Sequence, residues 1–167
     1  MTPDRSKHRK AGHRSWGARG QPVPGSHSGD TMSRETRSRV MSRIRGKHTK
    51  PEKTLAVLLA AQGLTFEQHA RDLPGAPDFV FRNARLAVFV DGNFWHGWRF
   101  PLWEHKLAAH WKLKISATRR RDQRNFRKLR RTGWKVMRIW EHQVERSAEH
   151  FVRLIITHLR SIRSART

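Results

Sequence analysis

The sequence predicts an α/β fold, a mixed sheet flanked by helices on both faces. Three observations predict it. Apolar residues recur at helical spacing in several stretches, short apolar runs bounded by Gly, Pro and Asp read as strands, and the two kinds interleave in the order α-α-β-β-β-α-β-α with no internal repeat.

Taken in order, residues 1–31 differ in kind from the rest. They are rich in Gly, Pro, Ser, His and Arg, with a lone Trp16 and no period, and cannot bury enough apolar surface to order themselves. The expected division is a disordered basic extension at 1–31 and a folded domain at 32–167, with Met32 a second candidate start. Val40, Met41 and Ile44 share one face of a first helix that Gly46 stops. Thr49-Lys50-Pro51-Glu52 reads as a capping box opening a second helix that runs to Gly63. A short strand at Thr65–Gln68 and a tight loop, Leu73-Pro74-Gly75-Ala76-Pro77, follow. Residues 78–81 and 86–90 form a hairpin across 82–85. Its second strand is apolar on both faces, as a central buried strand should be. After Asp91-Gly92 comes an aromatic loop, NFWHGWRFPLW, then a basic helix from Glu104 to Arg131. Gly133 ends it, residues 134–140 form a strand, and Ser147 caps a last helix burying Phe151, Leu154, Ile155, His158, Leu159 and Ile162.

Composition narrows the function. With 36 Lys+Arg against 13 Asp+Glu the formal charge is +23, and eleven His add to it in acid. An enzyme for a small neutral metabolite has no use for that field, whereas a polyanion does, and nucleic acid is the commonest one. Apolar residues make up 36% of the 167, with seven Trp and eight Phe, enough for a real core. The absence of Cys excludes disulfide scaffolds, thiol catalysis and Cys-based zinc sites. No apolar run reaches 18 residues and the basic N-terminus has no apolar core segment, so neither a membrane span nor a secretory signal is expected.

Several residues stand out chemically. Arg119, Arg120, Arg121, Arg124, Arg127, Lys128, Arg130 and Arg131 crowd one helix, where like charges a turn apart repel unless an anion binds. Leu107, Trp111, Ile115, Thr118, Asp122, Phe126 and Leu129 form a single stripe on the same helix that should face the sheet. A carboxylate in that stripe is costly unless partnered. Asp122 reads equally as half of a salt bridge, with Arg119 one turn back, or as partner to an active-site imidazole or metal. Asp78 at the mouth of one strand, beside the end of the next at Val90-Asp91-Gly92, suits the carboxylate layout of metal-dependent nucleases. The expected acidic-x-Lys triplet is missing, which points to His96 as the base. His96 also reads as a loop histidine without a role. Phe94 and Trp95 read either as loop packing or as a wedge that enters base steps.

These residues spell a family. Met41-Ser42-Arg43-Ile44-Arg45-Gly46-Lys47, Thr49-Lys50-Pro51-Glu52, Leu73-Pro74-Gly75 with Pro77-Asp78-Phe79-Val80, Val88-Phe89-Val90-Asp91-Gly92, Phe94-Trp95-His96-Gly97, Arg121-Asp122 and Gly133-Trp134 with Trp140-Glu141 occur in order. From about 32 to 160 the chain resembles the very-short-patch-repair (Vsr) DNA mismatch endonucleases. The resemblance implies a restriction-endonuclease-like fold and a nick 5′ of the T in a T:G mismatch, the lesion left by deamination of 5-methylcytosine. It implies Asp78 and the Val90 carbonyl as the metal site, Glu52 near the metal's waters, His96 as general base and Asp122 as its orienter. Met41, Phe94 and Trp95 match the intercalating positions, and Arg119, Arg120, Arg124 and Arg127 are expected on the DNA backbone. The family's structural zinc would fall at Asn93, Trp98, Phe100 and His142, so zinc is expected to be absent, with Trp98 and Phe100 packing in its place.

The resemblance therefore implies a Mg²⁺-dependent endonuclease on double-stranded DNA with a T:G mismatch. It is expected to be a monomer in the cytoplasm, at the nucleoid, with other mismatch-repair proteins as candidate partners. Two rival readings stand beside it: a defence or mobile-element nuclease with the same site and another target, and a non-catalytic DNA-binding module. All three predict salt-sensitive DNA binding, and only cleavage with Mg²⁺ separates the last.

Overall fold

The computed structural model describes residues 48–164. The extension at 1–31, the first helix around Val40 and Ile44, and Met41 lie outside the described residues.

Helix α1 (Lys50–Ala61) carries Pro51 in its first turn, where a missing N–H leaves no gap in the ladder. The capping box forms only in part. Glu52 accepts the backbone N–H of His48 at 2.7 Å, one residue before the position a box requires, and the Thr49 hydroxyl donates to Glu52 at 2.7 Å instead of accepting a helix N–H. Glu52 is buried, so its carboxylate gathers both donors. At the other end Leu64 N–H reaches the Leu59 carbonyl at 3.2 Å around Gly63, whose φ of +68° is the left-handed value this closure needs.

Strand β1 (Glu67–Gln68) is shorter than expected and lies at the sheet edge. It pairs antiparallel with β2 (Phe79–Phe81), which a short 3₁₀ turn at Arg82–Ala84 joins to β3 (Leu86–Asp91) as the predicted hairpin. Strand β4 (Lys135–Trp140) runs parallel to β3, with Leu86 opposite Lys135 and Asp91 opposite Trp140. The order is β1-β2-β3-β4, so β3 is interior, which is why it is apolar on both faces.

Helix α2 (Ala109–Arg131) carries the chain from β3 to β4. It begins later than Glu104. Residues Phe100–Leu102 and Glu104–Lys106 make 3₁₀ turns instead, held by the Trp103 indole N–H on the Trp98 carbonyl at 2.7 Å, so Leu107 falls outside the stripe. The rest of the stripe faces the sheet as expected, with Ile115, Asp122, Phe126 and Leu129 buried. Helix α3 (Glu141–Ser164) begins directly after β4, because the Gln143 side chain reaches back to the Trp140 N–H at 3.0 Å. Ser147 (φ −162°, ψ 74°) is itself non-helical, so α3 is two helical segments meeting at a kink, and the second opens at Ser147 as the sequence predicts. Val144, Ala148, Val152 and Ile155 form the buried face, while Leu154, expected inside, is 43% exposed, one step off that stripe.

Two cores flank the sheet. On one face Leu55 and Leu59 of α1 meet Phe79, Phe81, Leu86, Val88 and Ile139 under Val144, Val152 and Ile155 of α3. On the other Ala87 and Phe89 pack under Phe126 and Leu129 of α2. Burying about ten such large side chains at roughly 1.5–3 kcal/mol each is the main force holding the layers together. Among the described residues no helix is long and apolar enough to cross a membrane.

Candidate active site

Two polar clusters grow from the carboxyl end of β3. Successive strand residues point to opposite faces, so Val90 joins the α1–α3 core while Asp91 turns toward α2.

The first cluster centres on Asp78. The hairpin register sets it beside the end of β3, where Val90 N–H donates to its Oδ2 at 2.7 Å. Glu52 arrives from α1 and His69 from the turn after β1. His69 Nε2 lies 3.5 Å from Glu52 Oε2, and its Nδ1 lies 3.5 Å from Asp78 Oδ1. His69 holds a left-handed φ of +51°, a conformation that costs a non-glycine residue energy and concentrates at functional sites. Burial pushes the Asp78 carboxyl up to about 7, the Val90 N–H opposes this, and the charges of Glu52 and Asp91 add to the rise. A buried carboxylate beside a second one favours a cation, and Glu52, His69 and Asp78 offer ligand atoms within 4.8 Å of one another. Two carboxylates and an imidazole fit a hard divalent ion.

The second cluster centres on His96. Its Nδ1 lies 2.7 Å from Asp122 Oδ2 and 3.2 Å from Asp91 Oδ1. An ionised carboxylate only accepts, so Nδ1 is the nitrogen that carries a hydrogen, and in the neutral ring Nε2 is the one with the lone pair. Burial acts to raise the Asp122 carboxyl, but the His96 hydrogen bond, with the charges of His96, Arg121 and Arg138, outweighs it and holds the group below its ordinary range. Burial pushes Asp91 up, against the charges of His96 and Arg138. Asp91, His96 and Asp122 are also close enough to share a cation. A side chain already brings positive charge to both carboxylates: Arg138 Nε donates to Asp91 Oδ2 at 2.5 Å, and its Nη2 lies 3.4 Å from Asp122 Oδ2. Asp122 also meets Arg121 at 3.3 Å. Its arginine partners are thus Arg121 and Arg138, not Arg119. Gly97 (φ +68°) lets the His96 loop lie on α2, for a Cβ there would sit 2.8 Å from Arg119 Cδ and 3.1 Å from Ile115 Cγ2.

Phe94 and Trp95 are half-buried in a cluster of four rings, with centroids 5.2 Å from each other. Phe94 stacks on Trp103 at 5.7 Å, and Trp95 meets Trp111 edge-on at 5.5 Å under the Lys114 ammonium. Arg120, Arg124 and Arg127 are exposed along α2, while Arg119 lies over the Phe100 ring at 5.1 Å. The positions expected for zinc do not fit it. They supply one imidazole and one amide oxygen, and those two are bonded to each other, His142 Nδ1 to Asn93 Oδ1 at 2.5 Å, with the Trp98 ring 4.9 Å from His142. The structure thus brings Glu52 to Asp78 and His96 to Asp122. Sequence reasoning missed the places of His69, Asp91 and Arg138 in these clusters. For Asp91 the strand's period-2 alternation was the available signal, whereas nothing local marks His69 or Arg138.

Comparisons with known proteins identify the family. The family model described as DNA mismatch endonuclease Vsr matches residues 29–101, which include Glu52, Asp78 and His96 and stop before Asp122. The chain is 42% identical to the type II nicking enzyme V.XorIIP of Xanthomonas oryzae pv. oryzae, over 67% of this chain and 84% of that protein. It is 38% identical to the DNA mismatch endonuclease Vsr of Escherichia coli (strain K12), over 67% of this chain and 73% of that protein. The type II nicking enzyme V.NmeDIP of Neisseria meningitidis serogroup C is 37% identical over 69% of this chain and 80% of its own length. The sheet with its flanking helices is a restriction-endonuclease-like fold, and the chain belongs to the DNA mismatch endonuclease Vsr family, a DNA endonuclease.

Proposed function

We propose that this endonuclease uses Mg²⁺ to nick one strand of duplex DNA 5′ of the T in a T:G mismatch, as the opening step of very short patch repair. The observation that carries the proposal is the pairing of His96 with Asp122 across from the Asp78–Glu52 carboxylates at one strand end. A base and a cation site side by side are what phosphodiester hydrolysis needs. The names of the relatives, a mismatch endonuclease and two nicking enzymes, support a single-strand cut and the mismatch as its target.

In this reading Asp78, with the Val90 carbonyl, Glu52 and His69, would hold the metal. When bound, a divalent cation supplies charge neutralisation and Lewis acidity at the scissile phosphate. His96 takes a proton from the attacking water at Nε2, and Asp122 keeps the ring's other proton on Nδ1 and stabilises the imidazolium that results. Phe94 and Trp95 enter the mismatched step, and Met41 joins them. Arg119, Arg120, Arg124 and Arg127 hold the backbone on either side. A +23 chain needs no help to find DNA, so selectivity comes from the step that must open: unstacking costs a few kcal/mol and less where pairing is already weak.

The test is cleavage of end-labelled T:G and T:A duplexes of one sequence, with Mg²⁺ and with chelator. A nick mapped 5′ of the mismatched T, present only with metal, is expected. Equal cutting of both duplexes would move the protein to the defence-nuclease reading, and binding without cutting to the DNA-binding module.

A further inference from the structure

Two buried carboxylates converge on one ring nitrogen. Asp122 and Asp91 stand 2.7 and 3.2 Å from His96 Nδ1, which has a single hydrogen to give. Like charges at such range repel, and two competing acceptors leave the ring's plane undecided. Arg138 meets both problems. The parallel register puts it opposite Phe89, two residues before the Asp91–Trp140 pair, so it lies diagonal to Asp91 on the α2 side of the sheet. Its Nε holds the far oxygen of Asp91 and its Nη2 leans on Asp122. The guanidinium sits 4.2 Å from the Trp140 ring centroid and 5.3 Å from that of Phe126, which limits its freedom and its hydration.

We propose that Arg138 is a positioning residue for the nicking reaction: its fork ties back Asp91 and offsets one of the two carboxylate charges, so that His96 gives its Nδ1 hydrogen to Asp122 and presents Nε2 outward. The proposal rests on the reading of His96 as the base. Its consequence is specific. Deleting the cation leaves two carboxylates facing one imidazole, and deleting one carboxylate as well removes the need for the cation. An arginine that merely packed between rings, or one that gripped a phosphate, would not be relieved by a change at Asp91.

The experiment compares full-length wild type with His96→Ala, Arg138→Met, Arg138→Lys and the double variants Arg138→Met/Asp91→Asn and Arg138→Lys/Asp91→Asn. It reads the single-turnover rate on a T:G duplex with Mg²⁺, the DNA affinity, and the low-field NMR proton of His96 Nδ1–H in the free protein. Arg138→Met should slow nicking by about 10- to 100-fold, the range of coupling inside one charge network, with DNA affinity within about twofold, a phosphate contact not being lost. The low-field line should broaden, and the double variant should regain both the line and most of the rate. Should Met at 138 prevent folding, the Lys pair, which keeps a cation without the fork, should show the same loss and recovery to a smaller degree. A wild-type rate without the fork, a double variant as slow as the single one, or a loss of rate matched by a loss of affinity overturns the proposal. Normal nicking by His96→Ala would instead remove the base reading beneath it, whereas an inactive His96→Ala beside an active Arg138→Met removes the Arg138 proposal alone.

Discussion

At the scale of single residues, the electrostatics of Asp78 make a pH-dependent prediction. Its carboxyl is pushed up to about 7 in the fold, chiefly by burial, while the unfolded chain titrates near the ordinary value of about 4. Between those values the native state holds a proton that the unfolded state has released, so this group's contribution to stability is full below about pH 4 and is lost as pH rises through about 7. The loss amounts to about 4 kcal/mol at most. Asp78→Asn, which cannot ionise, should therefore melt close to wild type near pH 4 in chelator, begin to exceed it by pH 5 and lie clearly above it at pH 8. Adding Mg²⁺ at pH 8 should narrow the gap by stabilising wild type alone. A melting difference constant across pH would show that Asp78 is not the strained group. The same variant should lose nicking while keeping DNA affinity, since phosphate contacts come from Lys and Arg.

At the scale of elements, the loop between β3 and α2 has two jobs to separate. Phe94 and Trp95 pack on Trp103 and Trp111, so truncating both to Ala should lower the melting temperature through lost ring contacts as well as reduce cleavage. Phe94→Leu keeps apolar volume in the cluster but gives up the flat face that enters a base step. It should melt within a few degrees of wild type, a near volume-conserving swap costing under about 1.5 kcal/mol, and yet lose much of the preference for T:G over T:A duplexes. Full preference in a variant that melts normally would assign these rings to packing. The start of the same loop meets the start of α3 through the Asn93–His142 hydrogen bond and the Trp98 ring contacts on Trp140 and His142. With one imidazole among these positions, metal analysis of tag-free protein should find zinc far below one per chain, and without added Mg²⁺ a chelator should leave the protein's melting temperature unchanged. A stoichiometric zinc would place the ligands elsewhere, with His105 and His110 the first to test.

At the scale of the whole molecule, charge governs affinity. The exposed Arg120, Arg124 and Arg127 lie one and two turns apart on α2, a row that can follow one strand's phosphates. If six or more phosphates are neutralised, binding to any duplex should weaken by about 10³-fold between 50 and 200 mM salt. Changing Arg120, Arg124 and Arg127 together to Gln should flatten that slope by up to about three counterions' worth and weaken matched and mismatched duplexes alike, because such contacts position without reading bases. A variant that loses mismatch preference with an unchanged slope would contradict the backbone assignment.

How much of this was legible beforehand follows from the range of each force. The α/β alternation, the buried central strand, the sheet-facing stripe of α2 and the +23 field are properties of local pattern and composition, and the chain reports them without help from its fold. So does the presence of Asp78, His96 and Asp122 as residues that a buried site must account for. Element ends were less legible, because they hang on single side-chain bonds: Gln143 starts α3 at Glu141, and the Trp103 indole delays α2 to Ala109. Which groups meet was decided only by the tertiary structure. His69 joins Glu52 and Asp78 because β1 pairs at the sheet edge, and Arg138 reaches Asp91 because β3 and β4 run parallel in one particular register. A shift of that register by one residue would turn Arg138 to the opposite face. Periodicity is a local property and survives in the bare sequence, whereas register and the pairing of charges depend on contacts between residues dozens of positions apart, which only the packed sheet brings together.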